Sequence, residues 1–205
     1  MTSPTWLSGP EGATPLTPDE VAGLIPAYIA TRSDLNVAEQ QNIAAARQWA
    51  LRSRTARTVE GLMDDAFVRG LHRRMYSKVW RWAGAYRTTE RNIGIEPARI
   101  ATAVRDLVAD AAYWVQPDAR WITPERAVLR VHHQLVAIHP FSNGNGRHAR
   151  LFADLLARAC DVAPFTWGQT DLTTGGPDRG AYLDALRRAD RDPDDLDALL
   201  AFARS

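Results

Sequence analysis

Apolar side chains recur every three or four residues along most of this 205-residue chain, and this spacing constrains its fold more than any other feature. Such a repeat places the apolar residues on one face of an α-helix. The stripes predict helices over Asp19–Tyr28, Val37–Trp49, Asp64–Trp80 (ending near Gly84), Ile100–Val115, Thr123–Ile138 and Leu151–Ala159, with two short closing helices around Tyr182–Leu186 and Leu196–Phe202.

Two predicted helices carry explicit start signals. Thr123 offers a hydroxyl cap, Pro124 lacks an amide hydrogen where none is needed, and Glu125 puts a negative charge at the positive helix end. Asp64 or Asp65 similarly suits the cap and first turn of the third helix. These residues predict where the chain enters both helices.

One segment, Tyr86–Ile95, has the composition of extended chain. β-Branched and aromatic residues are mixed there with Asn92 and Gly94, which is typical of a short hairpin. A second stretch, Gly168–Gly180, is rich in Gly, Thr and Asp and predicts a loop. The fold class we expect is therefore all-α, mostly helical, with one small β-hairpin.

The chain divides into a short arm and one domain. Residues 1–18 are crowded with Pro, Gly, Ser and Thr, which cannot sustain helical hydrogen bonding, so we expect a flexible N-terminal arm. Residues 19–205 fit a single domain, because the chain is 45% hydrophobic and 24% charged, as ordinary globular proteins are.

Composition also restricts the cellular compartment and the binding partners that we expect for this protein. The single cysteine, Cys160, allows no intramolecular disulfide, no signal-peptide pattern opens the chain, and no stretch approaches the ~20 apolar residues of a membrane span. We therefore expect a cytoplasmic protein without a membrane partner. Lys and Arg total 25 against 24 Asp and Glu, which leaves no broad cationic face for nucleic acid.

The run HPFSNGNGRHAR, His139–Arg150, carries the chemistry of this sequence. Its glycines let backbone N–H groups converge on an anion, and the N-terminus of the helix that follows adds unsatisfied donors and a positive dipole end. Arg147 and Arg150 project from one face of that helix, and their planar guanidiniums suit phosphate oxygens. The irregular stretch His139–Arg147 therefore predicts a phosphate-binding turn between two helices.

His139 lies at the opposite end of this turn, where the preceding helix closes. An imidazole with an unperturbed pKa of about 6.5 can take a proton near neutral pH. Phosphoryl-type transfer needs positioning, charge stabilisation and a proton acceptor for the attacking hydroxyl, and the segment supplies all three. We interpret His139 as the general base of a nucleotidyl transfer.

The remaining histidines receive a plainer interpretation. His132, His133 and His148 are expected to be hydrogen-bonded or surface residues rather than ligands. Neither an HExxH run nor an HD pair occurs, which disfavours a histidine-based metallohydrolase. The competing interpretation of the motif is a Gly-rich connection with a chance histidine and two surface arginines.

The motif resembles the signature of the Fic family (Fic/DOC), whose pattern is HPFx(D/E)GNGRxxR. The stretches LHRRMYSKVWRWAGAYRTTERNIGI and LNVAEQQNIAAARQWA are similar to the Fic-type group called mobile mystery protein B, so the resemblance covers nearly the whole chain after the arm. It implies a Fic-like fold and a protein adenylyltransferase. In such an enzyme ATP binds with Mg²⁺, and AMP passes to a Ser, Thr or Tyr hydroxyl of a target protein.

The resemblance also implies roles for individual residues. His139 would deprotonate the target hydroxyl, Phe141 would be an inward-facing anchor, and a flap would bind the target segment as an added strand. The implied nucleotide-binding residues are Asn143, Gly144, Asn145, Gly146, Arg147 and Arg150, and the flap residues are Thr88, Thr89, Glu90, Arg91, Asn92 and Ile93.

Asn143 departs from the family pattern, which has Asp or Glu there as a magnesium ligand. An amide oxygen can coordinate Mg²⁺ but brings no negative charge, so metal affinity at this position is expected to fall. A second function therefore stays open. In it the chain is a catalytically weak or inactive nucleotide-binding regulator, such as the effector of a mobile-element or toxin–antitoxin pair.

Many Fic proteins carry an inhibitory helix, (S/T)xxxE(G/N), whose glutamate pairs with the second motif arginine. The nearest fit in this sequence is Ala56–Gly61, where Glu60 and Gly61 agree but alanine replaces the hydroxyl residue. We do not assign that function to the segment. Any inhibition is expected to come from an inhibitory or antitoxin partner protein.

Overall fold

Helices built on the apolar stripes make up most of the computed structural model, which describes residues 16–116, 118–119, 121–169 and 177–205. They are α1 (Pro18–Val21), α2 (Arg32–Arg52), α3 (Val59–Leu62), α4 (Asp65–Tyr76), α5 (Ile100–Trp114), α6 (Pro124–Ile138), α7 (Asn145–Ala159), α8 (Pro177–Arg191) and α9 (Asp197–Arg204), with 3₁₀ turns at Thr55–Arg57, Pro97–Arg99 and Trp167–Gln169. α6 and α7 pack along each other, α5 packs on α6, and α2 packs on α4. α8 and α9 pack on each other and on α6.

The core lies where the stripes of these helices meet. Full burial of each large apolar side chain contributes about 1.5–3 kcal/mol to folding. Fully buried members include Leu35, Leu62, Val68, Leu71, Met75, Trp80, Val104, Leu129, Leu135, Phe141, Phe152 and Leu155. Most of this set comes from α4, α6 and α7, and Phe141 of the loop between α6 and α7 belongs to it, so that loop is anchored directly on the core.

The capping signals in the sequence are confirmed. The Thr123 hydroxyl accepts the Arg126 N–H at 3.3 Å, and the Asp64 carboxylate accepts the Ala66 N–H at 2.9 Å. Each bond satisfies a donor that the first turn of a helix leaves free. In the part of the chain that the structure describes, no helix combines the length and the apolar character needed to cross a membrane.

The first predicted helix is much shorter than expected. Helix was predicted over Asp19–Tyr28, but α1 has one turn and ends at Val21. The Ile25 N–H donates to the Val79 carbonyl at 2.9 Å, so the chain is paired with another segment there and not with its own preceding turn. Pro26 then removes a donor that a continuing helix would need.

The third predicted helix is also shorter, since α4 ends at Tyr76 instead of near Gly84. The Trp80 N–H bonds the Tyr76 carbonyl at 2.8 Å in a turn that buries the indole in the core. The indole N–H donates to Glu39 of α2 at 2.7 Å. Tertiary burial of Trp80 therefore outweighs the helical spacing of the local sequence.

The hairpin predicted over Tyr86–Ile95 is not present, because no strand forms within those residues. The Arg87 N–H donates to the Pro140 carbonyl at 2.9 Å, and the Ile95 N–H donates to the Ile138 carbonyl at 3.3 Å. Both ends of the segment thus bond to the α6–α7 connection and not to each other. The result is an irregular loop laid against the start of the motif His139–Arg150.

Two predicted irregular segments fall partly outside the described residues. Residues 1–15 of the predicted arm lie outside them, whereas Leu16 packs against the core and Thr17 caps α1. Residues 170–176 of the predicted loop Gly168–Gly180 also lie outside them. The loop prediction extended too far, because α8 already begins at Pro177.

Candidate functional site

The connection between α6 and α7 is shorter than the sequence predicted. α6 ends at Ile138 and α7 begins at Asn145, so Arg147 lies in the first helical turn and not in the loop. His139 (φ 52°) and Gly144 (φ 78°) have left-handed backbone at the two ends of the connection. The first N–H groups of α7 have no partner within the helix, and they present donors and a positive dipole end at this turn.

Asn145 holds the shape of the connection. Its side-chain oxygen accepts the Phe141 N–H at 2.9 Å, and its amide nitrogen donates to the Phe141 carbonyl at 2.7 Å. Phe141 is fully buried and its ring stacks on His72, with centroids 3.7 Å apart. The Asn145 side chain is thus committed to the loop, and the backbone is what this residue can offer to a ligand.

Gly144 and Gly146 have different physical reasons to be glycine. A Cβ at Gly144 would lie 2.5 Å from the ring of Tyr76, and the positive φ already favours glycine. A Cβ at Gly146 would meet only the Arg150 guanidinium, at 3.8 Å. The fold therefore requires glycine at 144, whereas at 146 it leaves open space above a helix N-terminus.

His72 on α4 supports the motif from below, and sequence reasoning did not find it. The Gly84 N–H donates to His72 Nδ1 at 3.0 Å, so this nitrogen carries no proton. His72 Nε2, 3.0 Å from the Asn143 carbonyl, is then the donor. Burial holds the pKa of His72 well below its usual value, which keeps the ring in this neutral form. The sequence held one sign of this role, because His72 is a polar residue within the apolar stripe of α4.

His139 is buried and neutral. Burial lowers its pKa to about 4, and the positive charges of Arg87 and Arg91 act in the same direction. The Arg87 guanidinium donates to the His139 carbonyl at 2.7 Å. A Cβ on Gly94 would lie 2.6 Å from that of His139, so the 86–95 loop packs closely on this residue. At neutral pH the imidazole is able to accept a proton, as a general base must.

Arg147 and Glu39 form an ion pair that the sequence did not predict. Arg147 Nη1 lies 2.6 Å from Glu39 Oε2, and the Glu39 side chain is only 3% exposed. The Trp80 indole donates to the other carboxylate oxygen. This carboxylate comes from α2, whereas Glu60, in the segment compared with the inhibitory motif, is exposed on α3. A phosphate group approaching Arg147 would compete with Glu39.

Arg150 points toward α8. Its guanidinium carbon lies 5.4 Å from the ring centroid of Tyr182 on α8. The corresponding atom of Arg147 lies 5.3 Å from the ring of Tyr76 on α4. Both motif arginines are half-buried. Aromatic faces thus hold the two guanidiniums on either side of the first turns of α7.

The residues around Asn143 do not form a protein-held magnesium site. The Asn143 amide oxygen accepts the Gly144 N–H at 2.6 Å, and it carries no charge. The carboxylate of Glu20, which hydrogen-bonds Ser142, also accepts the Thr17 N–H at 2.8 Å and pairs with Arg91. Within the described ranges, no group of three or more His, Cys, Asp or Glu could hold a metal ion. Mg²⁺, which the resemblance implied, therefore lacks the anionic ligand of the family pattern.

The predicted flap lies beside His139 as an exposed loop. Among Thr88–Ile93, only Arg91 is substantially covered, with a side chain 5% exposed and paired with Glu20. Burial raises the pKa of the Glu20 carboxyl, but the bonds from Arg91, Ser142 and Thr17 outweigh it, so the net pKa is lowered. The loop is thereby fastened to α1 in its middle and, through Arg87, to the motif at its base.

The structure thus brings together His139, Gly144–Arg147, Arg150 and the loop 88–93 around the α6–α7 connection. His132, His133 and His148 remain outside this set, as expected. The His132 Nε2 lies 3.0 Å from the Tyr182 hydroxyl, that of His133 2.8 Å from Asp190, and that of His148 2.9 Å from the Val68 carbonyl. Arg87, Glu39 and His72 are the contributors that sequence reasoning missed.

Buried histidines give the fold a specific pH dependence. Burial lowers the pKa of His132 to about 3 and that of His148 to about 4, while that of His72 is well below normal. The unfolded chain, with histidine pKa values of about 6.5, binds protons that the folded chain does not. The free energy of unfolding is therefore expected to fall as pH decreases from about 6.5 to 4, as urea denaturation at several pH values would show.

A matched variant isolates the histidine contribution from that of the carboxylates. Gln in place of His148 keeps a donor for the Val68 carbonyl but does not titrate. The His148→Gln protein is expected to lose less stability than wild type between pH 7 and pH 5. Equal losses in both proteins would contradict a depressed pKa at His148.

Comparison with known proteins points to one family. Residues 62–157 match the family model described as "Fic/DOC family". A protein adenylyltransferase, fic-1, of Caenorhabditis briggsae is 36% identical over 84 residues, which are 40% of this chain and 16% of that protein's length. A probable protein adenylyltransferase of Sinorhizobium fredii is 27% identical over 166 residues, covering 77% of this chain and 82% of that protein.

A solved structure shows the same fold. The N-terminal Fic domain of the Bep8 protein, a VirB-translocated effector of Bartonella sp. 1-1C, superposes with a TM-score of 0.65 at 14% sequence identity. The superposition covers 87% of this chain and 88% of that one. The mostly helical Fic-like fold expected from the sequence is confirmed.

Proposed function

Because residues 62–157 match the Fic/DOC family model, we propose that this chain is a protein adenylyltransferase, which transfers AMP from ATP to a hydroxyl side chain of a target protein. One observation carries the proposal: a buried, neutral His139 lies across a short connection from a glycine-containing helix N-terminus with two arginines. Those parts supply a base and an anion site within a single turn of chain.

The proposed reaction is an in-line displacement at the α-phosphorus of ATP. The target hydroxyl oxygen forms a bond to phosphorus, the bond from phosphorus to the α–β bridging oxygen breaks, and pyrophosphate leaves. The hydroxyl proton passes to the imidazole of His139. The N–H groups of the Gly144–Arg147 turn, with Arg147 and Arg150, would hold the phosphates and offset the charge that develops on them.

The loop Thr88–Ile93 is the proposed binding place of the target segment. It is exposed and adjacent to His139, and among the described residues its backbone N–H groups make no backbone hydrogen bonds between Thr88 and Gly94. A target peptide could add to this edge as a strand, which would bring one of its hydroxyls to the base. Arg87 and the Arg91–Glu20 pair hold the edge in place.

The proposal is tested by incubating the purified protein and a cell lysate with ATP labelled on the α-phosphate, and separately with ATP labelled on the γ-phosphate. Label on protein from the α position alone is the expected result. Label from the γ position would indicate phosphoryl transfer instead. Absence of protein label from both, with ATP binding intact, would favour the non-catalytic alternative.

That alternative is a nucleotide-binding regulator without efficient turnover, and two observations favour it. Asn143 brings no charge to the position where the family pattern has a carboxylate, and Glu39 occupies Arg147. Both features lower the capacity of the site to hold a metal-bound triphosphate. A toxin–antitoxin or mobile-element context is compatible with either function.

Removing the charge of Glu39 is expected to strengthen ATP binding. Gln at this position can still accept the Trp80 N–H, but it carries no negative charge, so it competes less with phosphate for the Arg147 guanidinium. We expect Glu39→Gln to lower the Kd for a non-hydrolysable ATP analogue roughly tenfold, the value of one charged hydrogen bond, in isothermal titration. The exposed Glu60→Gln variant is the control, and equal affinity of Glu39→Gln and wild type would show that Glu39 does not compete with the nucleotide.

A further inference from the structure

The first turn of α8 brings another arginine to the phosphate-binding side of α7. Tyr182 on α8 faces the motif, since its ring lies under the guanidinium of Arg150 and its hydroxyl is 3.0 Å from His132 of α6. Arg179 is three residues before Tyr182 and so lies on the same face of α8, one turn nearer the helix N-terminus. Its side chain is half-buried there.

The neighbouring carboxylate lies on the other side of Tyr182. Asp178, Ala181 and Ala185 line a groove between α8 and α9, together with Arg188. The Tyr182 ring lies 5.5 Å from that of Phe202 on α9 and also under the Arg150 guanidinium, so it separates this groove from the motif. On the helix, Asp178 and Arg179 flank Tyr182 on opposite sides, with Arg179 on the side away from the groove.

Three arginines approach this place, and Glu39 pairs with one of them, Arg147. Burial lowers the pKa of the Arg179 guanidinium, and the positive charges of Arg150 and Arg147 lower it further, whereas Tyr182 acts in the opposite direction. The N-termini of α7 and α8 add the positive ends of two helix dipoles. A ligand with several negative charges relieves this repulsion more than a singly charged one does.

We infer that Arg179 is a third phosphate-positioning residue of the nucleotide site, one that binds the terminal phosphates and makes the site prefer a nucleoside triphosphate to a monophosphate. The inference rests on the proposed function and deepens it. α8 lies beyond residues 62–157, so this arginine is not supplied by the matched family segment.

The test is isothermal titration of ATP, AMP and inorganic tripolyphosphate into wild type, Arg179→Gln and Arg187→Gln. Arg187 lies on the same helix, 60% exposed and paired with Asp184, and serves as the matched control for loss of one charge. We expect Arg179→Gln to weaken ATP and tripolyphosphate binding about tenfold and AMP binding less than twofold. Arg187→Gln is expected to leave all three affinities within twofold of wild type.

An unchanged ratio of ATP to AMP affinity in Arg179→Gln would overturn the inference, as would an equal effect of Arg187→Gln. If Arg179→Gln fails to fold by circular dichroism, Arg179→Met keeps the apolar stem of the side chain without the charge, and an unchanged ratio in that variant would also overturn the inference. The transfer assay with ATP labelled on the α-phosphate distinguishes failure of the proposed function from failure of the role of Arg179. Arg179-dependent tripolyphosphate binding without transfer would contradict only the proposed function, and transfer with an unchanged ratio would contradict only the role of Arg179.

Discussion

Replacement of His139 by asparagine is expected to reduce AMP transfer by about a hundredfold or more, with the affinity for ATP nearly unchanged. The loss of a positioned general base typically costs a factor of this size. Asparagine is the appropriate replacement, because residue 139 has a φ of 52° and asparagine tolerates left-handed backbone better than alanine does. The measurement is the initial rate of α-label transfer, with ATP affinity determined in parallel by titration.

A second histidine on α6 provides the control. His133 has a ring nitrogen 2.8 Å from Asp190 and plays no part in the proposed chemistry, so His133→Asn is expected to transfer AMP at the wild-type rate. Full activity of His139→Asn would remove the imidazole from the mechanism. A large loss of ATP affinity in that variant would assign His139 to nucleotide binding instead.

Alanine at the two motif glycines is expected to have opposite effects on stability. Gly144→Ala forces a Cβ against Tyr76 at a left-handed position, and we expect the free energy of unfolding to fall by roughly 2–4 kcal/mol. Gly146→Ala places a methyl group in open space in the first turn of α7. Because alanine favours helix over glycine, we expect that variant to gain up to about 1 kcal/mol.

Although Gly146→Ala is expected to stabilise the fold, we expect it to weaken ATP binding. Its added methyl group occupies the space through which phosphate oxygens would approach the helix N–H groups, so ATP affinity is expected to fall at least roughly tenfold. Urea denaturation and titration of each variant measure the two quantities separately. A stable Gly146→Ala protein that binds ATP as wild type does would show that phosphates do not reach this turn.

The sequence predicted helices well where apolar spacing and capping agreed. Thr123 and Asp64 were identified as caps because a cap acts within a few residues of its own helix, and both bonds are present. The same spacing failed for Trp80, since nothing local indicates that its indole is buried against Glu39 from another helix. Helical periodicity shows which residues of a segment can share one helix face. It carries no information on a residue of another helix, such as Glu39, whose contact with Trp80 accompanies an earlier end of the helix.

The residues of the motif were predictable from the sequence, but the residues from other elements that contact them were not. His139, the motif glycines and the two motif arginines are contiguous in sequence, so their types and spacing are visible to local reasoning. Arg87, His72 and Glu39 reach the same place from separate elements, at sequence distances of 52, 71 and 108 residues from their bonding partners in the motif. The predicted hairpin failed for the same reason, because its ends bond to the motif and not to each other.

By itself, the sequence determined that this chain is mostly helical and that its chemistry is concentrated between two helices, because apolar stripes, caps and a contiguous motif are local properties. Only the tertiary structure decided that His139 is kept neutral, that Glu39 occupies Arg147, and that α8 brings Arg179 to the motif arginines. Burial and charge proximity depend on every element packed around a group. Burial and charge proximity set the pKa values and the competition between Glu39 and phosphate for Arg147. Both arise only when segments distant in sequence pack together.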